Sequence, residues 1–222
     1  MFGAGPAPTE REKTMKTTAR LLALALALAP TALLAADGPL LVRLRAVYVD
    51  PADKSDAIPA LGVPADAITV STKTIPEVDI SWFFSKSVAA ELILTYPQEH
   101  DVELMGTKIG TFKHLPPTLT LQYHFLPDGG FRPYVGAGVN LTLISDVSLA
   151  VPGVGALDLE SSSVGFAAQA GFDVKLGEKL VLNGDVKWVQ IGSDVTLKAT
   201  GAKVSAVKVD PWLIGAGLGY RF

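Results

Sequence analysis

Three observations predict that this chain is all-β and folds as an eight-stranded antiparallel up-and-down transmembrane β-barrel. Apolar and polar residues alternate through most of the chain after residue 36, whereas amphipathic helix periodicity is scarce. The connections between the alternating runs are short and long in turn. The apolar faces carry aromatic residues near their ends, and the charged residues share the opposite faces.

Composition narrows the class of protein before any strand is considered. The chain has 222 residues, a formal net charge of -3 and no cysteine. The absence of cysteine excludes a disulfide framework and thiolate metal sites. The charge balance gives no electrostatic reason to expect nucleic acid as a partner.

The N-terminal segment has the pattern of a secretory signal. Lys16 and Arg20 precede an apolar run at 21–36, and small residues follow at its end. The run is 16 residues long and contains Pro30, which is short of the roughly 20 residues that a membrane-spanning helix needs. We therefore expect cleavage after Ala35 or Ala36, with an uncleaved anchor as the alternative.

These signals divide the chain into a signal peptide, residues 1–36, and an outer-membrane β-barrel, residues 37–222. Met15 begins a more ordinary signal than Met1 does, which suggests that residues 1–14 are a start-site artefact.

Period-2 alternation predicts eight strands, at 40–50, 74–84, 88–97, 115–125, 132–144, 162–175, 180–191 and 208–222. Short turns are expected at 85–87, 126–130 and 176–179. Long loops rich in Pro, Gly, Ser and Asp are expected at 51–73, 98–114, 145–161 and 192–207. A meander places the short turns at one end and the long loops at the other, which is typical of barrels with periplasmic turns and extracellular loops.

The composition of the two strand faces indicates which side meets lipid. Alternate side chains of a strand point to opposite sides of the sheet, and ten aromatic residues fall on the apolar faces. They are Tyr48, Trp82, Phe84, Tyr96, Tyr123, Phe125, Trp188, Trp212, Tyr220 and Phe222. The interior of an eight-stranded barrel is too narrow for them. We therefore expect the aromatics to face outer-membrane lipid, and the charges and the glycines of the last strand to face the lumen.

Four segments resemble the outer membrane protein W (OmpW/AlkL) family: HLPPTLTLQYHF (114–125), FRPYVGAGVN (131–140), VDPW (209–212) and the terminal GYRF (219–222). Their order and spacing are also similar, and the similarity covers essentially all of the chain after the signal. The resemblance implies an eight-stranded barrel in the bacterial outer membrane that passes small hydrophobic molecules inward. The long loops resemble the family less closely, so the identity of the substrate does not follow.

The inward faces carry charges near the end of the short turns. Buried charges need partners that offset their desolvation, so these residues are expected to form an ionic plug in the lower lumen. The plug residues are Arg43, Arg45, Glu77, Asp79, Glu91, Asp185, Lys187 and Arg221. A catalytic role for Glu77 and Asp79 is disfavoured, because both lie on one strand near arginines that would hold them ionised.

Nearer the long loops, the same inward faces carry apolar residues. This hydrophobic lumen is expected to comprise Val47, Val49, Ile75, Ile93, Val189, Ile191, Val209 and Leu213. Packing under the loops and a binding funnel for hydrophobic ligands are both compatible with the pattern, and the family resemblance favours the funnel. Pro97, Pro116 and Pro117 flank one loop; proline removes a ladder donor, so they either end strands or mark a lateral exit into lipid.

No motif indicates an enzyme or a cofactor. His100, His114 and His124 lack the spacing of zinc ligands, and there is no nucleophile elbow or phosphate-binding loop. The function expected is passive uptake of small hydrophobic molecules through the apolar upper lumen, with lateral exit. The alternative is a non-transporting structural or receptor barrel whose extracellular loops bind partners; an enzyme barrel ranks third, and eight strands disfavour a wide aqueous porin. The oligomeric state is left open, with a monomer expected to suffice.

Overall fold

The computed structural model describes residues 38–222, so the signal peptide expected at residues 1–36 lies outside the described residues. Its strands are β1 (Leu40–Asp50), β2 (Lys54–Ser55), β3 (Ile68–Val70), β4 (Lys73–Phe83), β5 (Val88–Leu94), β6 (Gln98–Leu104), β7 (Thr107–Leu115), β8 (Thr118–His124), β9 (Phe131–Val151), β10 (Gly155–Leu159), β11 (Ser162–Lys175), β12 (Leu180–Val189), β13 (Gly192–Leu197), β14 (Lys203–Lys208) and β15 (Trp212–Arg221). A single 3-10 turn occupies Pro59–Leu61. Within 38–222, no helix has the length and apolar character needed to cross a membrane.

Eight of these strands close into a barrel, which confirms the predicted fold. The order around the barrel is β1, β4, β5, β8, β9, β11, β12 and β15, and every neighbouring pair is antiparallel. β15 returns to pair with β1, so that Val42 lies opposite Tyr220 and Tyr48 opposite Ile214. Closure leaves the barrel without a free edge, as the hydrocarbon core of a membrane requires.

The four long loops differ from expectation, because they contain strands of their own. β9 is 21 residues long and runs well past the barrel, where it pairs with β7 and β10. β6 pairs with β7 and β3, while β13 joins β10 to β14, which pairs with β2. These seven strands form an extension of the barrel wall on the side of the long loops, and strand pairing there satisfies backbone groups that a loop would leave to water.

Two barrel strands are also shorter than predicted at the end that faces the extension. β5 ends at Leu94 and not at residue 97, and β8 begins at Thr118 and not at residue 115. The prolines at 97, 116 and 117 therefore lie outside the barrel ladder, as expected of residues that lack a ladder donor.

The two faces of the barrel separate as predicted. Eight of the ten aromatics are exposed on the outside, and Trp82 and Trp188 are half-buried. Leu44 is 65% exposed, whereas Arg43 and Arg45 on either side of it are 0% and 3% exposed. An exposed apolar band around buried charges is the arrangement of a protein whose outer solvent is lipid.

The glycine face of β15 makes room for the arginines of β1. In the register of this pair, Arg43 lies opposite Gly219 and Arg45 opposite Gly217. A Cβ added at Gly215 would lie 2.1 Å from a guanidinium nitrogen of Arg45. The small residues therefore allow two large cations to fit inside a narrow barrel.

Candidate functional site

The barrel interior has two zones, an ionic network on the side of the short turns and apolar chambers on the side of the extension. The network begins at Arg43, which is fully buried. Its guanidinium donates to Glu91 at 2.5 Å and to Ser81 at 2.7 Å from one nitrogen, and to Asp173 at 2.6 and 3.1 Å from the other two. Fork-shaped contacts with Asp173 fix the direction of the side chain.

Arg45 and Lys187 form the second layer of the network. Arg45 donates to Asp79 at 2.7 Å and pairs with both carboxylate oxygens of Asp185. Lys187 pairs with Glu77, which also lies 3.5 Å from Arg45. The two layers lie inside the barrel at low exposure, and their charges pair with one another.

Neutral side chains complete the network, because its three cations face five carboxylates. Glu91 accepts hydrogen bonds from Ser81 at 2.7 Å, Gln122 at 2.7 Å and Gln169 at 3.2 Å. Asn183 donates to Asp173 at 2.9 Å. Gln122 and Gln169 satisfy the Glu91 oxygen that Arg43 does not reach, whereas Ser81 and Asn183 add a second donor to oxygens that Arg43 already contacts.

Asp173 was missing from the residues expected in the plug, and Arg221 has a different setting from the rest. Inward and outward residues alternate along β11, and Gln169 and Asp173 both lie on the inward face. A comparison of the two faces of this strand would have identified Asp173 from the sequence. Arg221 lies at the lower end of the barrel, where Nε donates to the carbonyl of Gly38 at 2.9 Å and the guanidinium lies 4.1 Å from the centre of the Phe83 ring.

Directly above the network is the lower chamber. Its floor is the Glu77–Lys187 pair, and its walls are mostly aliphatic. The residues that line it include Val49, Ile75, Ile93, Leu94, Thr95, Pro116, Thr118, Val189 and Leu213. The lumen thus changes from charged to apolar within a few residues along each strand.

The extension strands enclose a second, upper chamber. Its lining is almost wholly apolar, with residues from β3, β6, β7, β9, β10, β13 and β14. Only His114 and Ile191 line both chambers, so the two meet there. The empty space, including whatever is continuous with solvent, is about 590 Å³ in the upper chamber and about 500 Å³ in the lower one.

The structure places all eight residues expected in the hydrophobic lumen inside the barrel or its extension, each no more than 8% exposed. Five of them line the lower chamber alone, Ile191 lines both, and Val209 lines the upper one. Val47 packs in the same apolar cluster, just above Arg45. The upper chamber brings in residues that the sequence analysis left in loops, such as Val102, Leu157 and Val195.

Strand pairing in the barrel wall stops on both sides of β5 next to the lower chamber. Pairing between β5 and β8 stops at Ile93 and Thr118, and pairing between β4 and β5 stops at Val78 and Leu94. Of the three prolines expected at an exit, Pro116 lines the chamber, Pro97 is exposed, and Pro117 is buried. Asn140 donates to the carbonyls of residues 116 and 117 at 3.2 and 3.3 Å, which closes the β8–β9 side and leaves the break between β5 and β8.

No group of three or more potential metal ligands occurs among residues 38–222. His124 lies at the opposite end from the other two histidines, against Phe83 and Tyr134. His100 and His114 stack on each other with ring centres 4.8 Å apart. A stacked pair does not converge on a common point as metal ligands do.

A closed eight-stranded barrel with an apolar, aromatic outer surface and a charged interior defines a class, the β-barrel proteins of the bacterial outer membrane. The chain belongs to the OmpW family, whose model matches residues 36–222. This finding confirms the resemblance seen in the sequence and places the protein in the outer membrane.

Individual relatives agree with this assignment. The chain is 44% identical over 165 residues to the outer-membrane protein y4mB of Sinorhizobium fredii, covering 72% of this chain and 71% of the relative. It is 33% identical over 197 residues to outer membrane protein W of Vibrio cholerae, covering 84% and 89%. The crystal structure of OprG from Pseudomonas aeruginosa matches with a TM-score of 0.70 at 32% identity, over 83% of this chain and 96% of that one.

Proposed function

We propose that this barrel gives small hydrophobic molecules a passive route across the polar outer surface of the outer membrane and into its lipid. The solute enters the upper chamber, moves past His114 and Ile191 into the lower chamber, and leaves sideways through the break between β5 and β8. No chemical step and no cofactor is involved. One copy of the chain contains the whole route, so the proposal requires no second subunit.

The observation that carries the proposal is the pair of adjoining, mostly apolar chambers above a charged floor. A barrel that only needed to be stable could fill its interior with the kind of network seen around Arg43 and Arg45. The chambers instead present apolar walls, which favour hydrophobic solutes by about 25 cal/mol for each Å² of apolar surface removed from water. Association entropy offsets part of this gain, so binding is weak enough for release.

The ionic network explains why the route turns sideways. A hydrophobic solute that continued toward the periplasm would have to separate Lys187 from Glu77 and Arg45 from Asp185, all at most 6% exposed. Breaking such a buried pair costs about 3–5 kcal/mol. The wall above Ile93 and Thr118, where β5 and β8 no longer pair, offers a path with no ion pair to separate.

The runner-up is a structural or receptor barrel, whose binding surface would be the extension strands. The extension is itself a pleated wall of seven strands with charged pairs on its outside, such as Lys113 with Asp146 at 3.0 Å and Lys203 with Asp194 at 2.7 Å. A receptor of this kind needs that outer surface and has no need for an apolar route inside. A change confined to the lower chamber therefore separates the two functions.

The test is the entry of a fluorescent hydrophobic probe, naphthalene, into cells that make the wild type or Ile93→Asp, with a small sugar as the hydrophilic comparison. Ile93 is 5% exposed and lines the lower chamber. We expect Ile93→Asp to fold and to reduce naphthalene entry to the rate of cells that lack the protein. The control Leu61→Asp changes an exposed residue outside the barrel and should leave entry unchanged.

Wild-type entry of naphthalene through a correctly folded Ile93→Asp barrel would contradict the route and move the receptor function ahead. Equal acceleration of the sugar and of naphthalene by the wild type would contradict the selectivity for hydrophobic solutes.

A further inference from the structure

Three polar side chains cluster beside the junction of the two apolar chambers, and His114 is the one that lines both chambers. Gln98 and His114 are cross-strand partners on β6 and β7, and His100 stacks on His114. We call Gln98, His100 and His114 the polar waist. They are 0%, 1% and 5% exposed, and Phe112 packs beside both histidines with ring centres 5.9 and 6.1 Å away.

Two hydrogen-bond acceptors of the polar waist have no partner in the protein. Nδ1 of His100 lies 2.8 Å from the carbonyl oxygen of Ser71, so this nitrogen carries the proton and Nε2 presents a lone pair. The amide nitrogen of Gln98 donates to the Tyr96 carbonyl at 3.0 Å and to Thr95 at 3.2 Å, which leaves its oxygen as an acceptor. Both Nε2 of His100 and Oε1 of Gln98 are buried without a partner.

His114 adds a ring that faces both chambers. Within residues 38–222 its nitrogens make no hydrogen bond. It lies beyond the apolar band, because the adjacent Lys113 faces outward and pairs with Asp146. Burial, with smaller effects of His100 and Lys73, lowers the pKa of His114 to about 3. The neutral ring has one nitrogen that donates and one that accepts.

The other polar groups of the chambers contrast with the polar waist, because the protein itself satisfies them. Thr95 donates to the Pro76 carbonyl at 2.8 Å. Thr118 donates to the Pro116 carbonyl at 3.1 Å and accepts from Asn140 at 2.8 Å. Unmet acceptors are costly when buried, and those of Gln98 and His100 lie beside His114, the polar residue that lines both chambers.

We propose that the polar waist is a recognition site for hydrophobic solutes that carry a hydroxyl group, such as phenols and long-chain alcohols, and that it favours them over hydrocarbons and ethers. This proposal rests on the proposed function and specifies its substrate class. A hydroxyl both donates and accepts hydrogen bonds, and the neutral ring of His114, which lines both chambers, offers it one acceptor and one donor. The unpaired acceptors of Gln98 and His100 lie next to this ring. The apolar body of the solute occupies the chambers on either side while the hydroxyl binds at the polar waist.

The matching probes are 2-naphthol, which donates a hydrogen bond, and 2-methoxynaphthalene, which has the same rings and cannot donate. We expect the wild type to accelerate entry of 2-naphthol severalfold more than entry of 2-methoxynaphthalene, each measured against cells that lack the protein. His114→Leu should remove most of this preference while entry of 2-methoxynaphthalene stays at or above the wild-type rate. His114→Gln, which retains a donor and an acceptor, should restore the preference. Phe112→Leu alters the same stack without removing a polar atom and should leave the preference in place.

A preference that is unchanged in His114→Leu, with both probes still admitted, would overturn the recognition site and leave the uptake function standing. Failure of the wild type to accelerate either probe would instead contradict the uptake function. A second measurement uses only the wild type, so it applies even if the His114 variants do not fold. In lipid nanodiscs, 2-naphthol should shift the imidazole nitrogen resonances of His100 and His114, whereas 2-methoxynaphthalene should not. The absence of such shifts at saturating 2-naphthol would also overturn the recognition site.

Discussion

Arg45 connects more carboxylates than any other cation in the lower barrel. It contacts Asp79, Asp185 and Glu77, and it fits because β15 presents Gly215 and Gly217 beside it. Two residue types that look unrelated in the sequence, arginines on the first strand and glycines on the last, therefore form a single structural unit.

Arg45→Ala should destabilise the barrel by about 3–5 kcal/mol, because it leaves buried carboxylates with Lys187 as their remaining close cation. The measurement is urea-dependent folding into lipid vesicles. Lys54→Ala is the control: it breaks an exposed pair with Asp66, a contact worth about 0–1 kcal/mol. Wild-type stability and wild-type ion conductance in Arg45→Ala would show that the network does not close the lumen.

Gly217→Ala should impair folding, because the new Cβ would lie 2.1 Å from the carbonyl oxygen of Leu44 and 2.7 Å from the Cα of Arg45. These are backbone atoms of the paired strand, so relief requires β1 and β15 to separate. Gly177→Ala is the matched control, since nothing lies within 4 Å of its added Cβ, and it should change stability by less than about 0.5 kcal/mol. Equal folded yields for the two variants would be incompatible with close packing of β1 on β15.

At the scale of the strand, each barrel element separates lipid from lumen by one-residue alternation. On β8, Leu119, Leu121 and Tyr123 are at least 50% exposed, whereas Thr118, Thr120 and Gln122 are at most 4% exposed. The strength of this alternation explains why the eight barrel strands could be predicted from the sequence. Lipid on one side demands apolar residues there, which makes the pattern far stronger than in a strand exposed to water.

The extension strands could not be predicted in the same way. β13 and β14 are six residues each, and their outer faces meet water, so Asp194, Thr196 and Lys208 stand where the barrel strands have Leu and Tyr. Their pairing depends on long-range register, such as Val207 opposite Ser55, which local sequence does not specify. The polar waist was missed for the same reason, because His100 meets His114 only once β6 and β7 pair.

Leu121→Arg tests the orientation of β8. Leu121 is 60% exposed and opposite Ala90 and Ala137, so arginine there would meet hydrocarbon at a cost of about 2–4 kcal/mol near the bilayer midplane. Leu61→Arg, at a site 48% exposed outside the barrel, should fold as the wild type does. The free energy of folding into vesicles is the measurement, and a similar loss in both variants would reject the assigned lipid face.

At the scale of the whole molecule, the ionic network and the chambers divide one continuous lumen. In the proposed route, the network stops an apolar solute, and the missing β5–β8 pairing above Ile93 and Thr118 lets it leave. Continuing the register of these strands places Thr95 opposite Pro116, and both residues line the lower chamber. The chain has no cysteine, so a cysteine pair introduced at these two positions reacts alone.

The most direct test of the account is to seal this break and measure uptake. Thr95→Cys with Pro116→Cys, joined by a short thiol-reactive cross-linker that reduction cleaves, should lower naphthalene entry to the rate of cells without the protein, and reduction should restore it. A control pair, Lys86→Cys with Asp128→Cys, joins two turns at the opposite end, where the native side chains form an ion pair at 2.7 Å, and cross-linking it should leave entry unchanged. Naphthalene entry at the wild-type rate through a fully cross-linked Thr95–Pro116 pair would contradict lateral exit from the lower chamber.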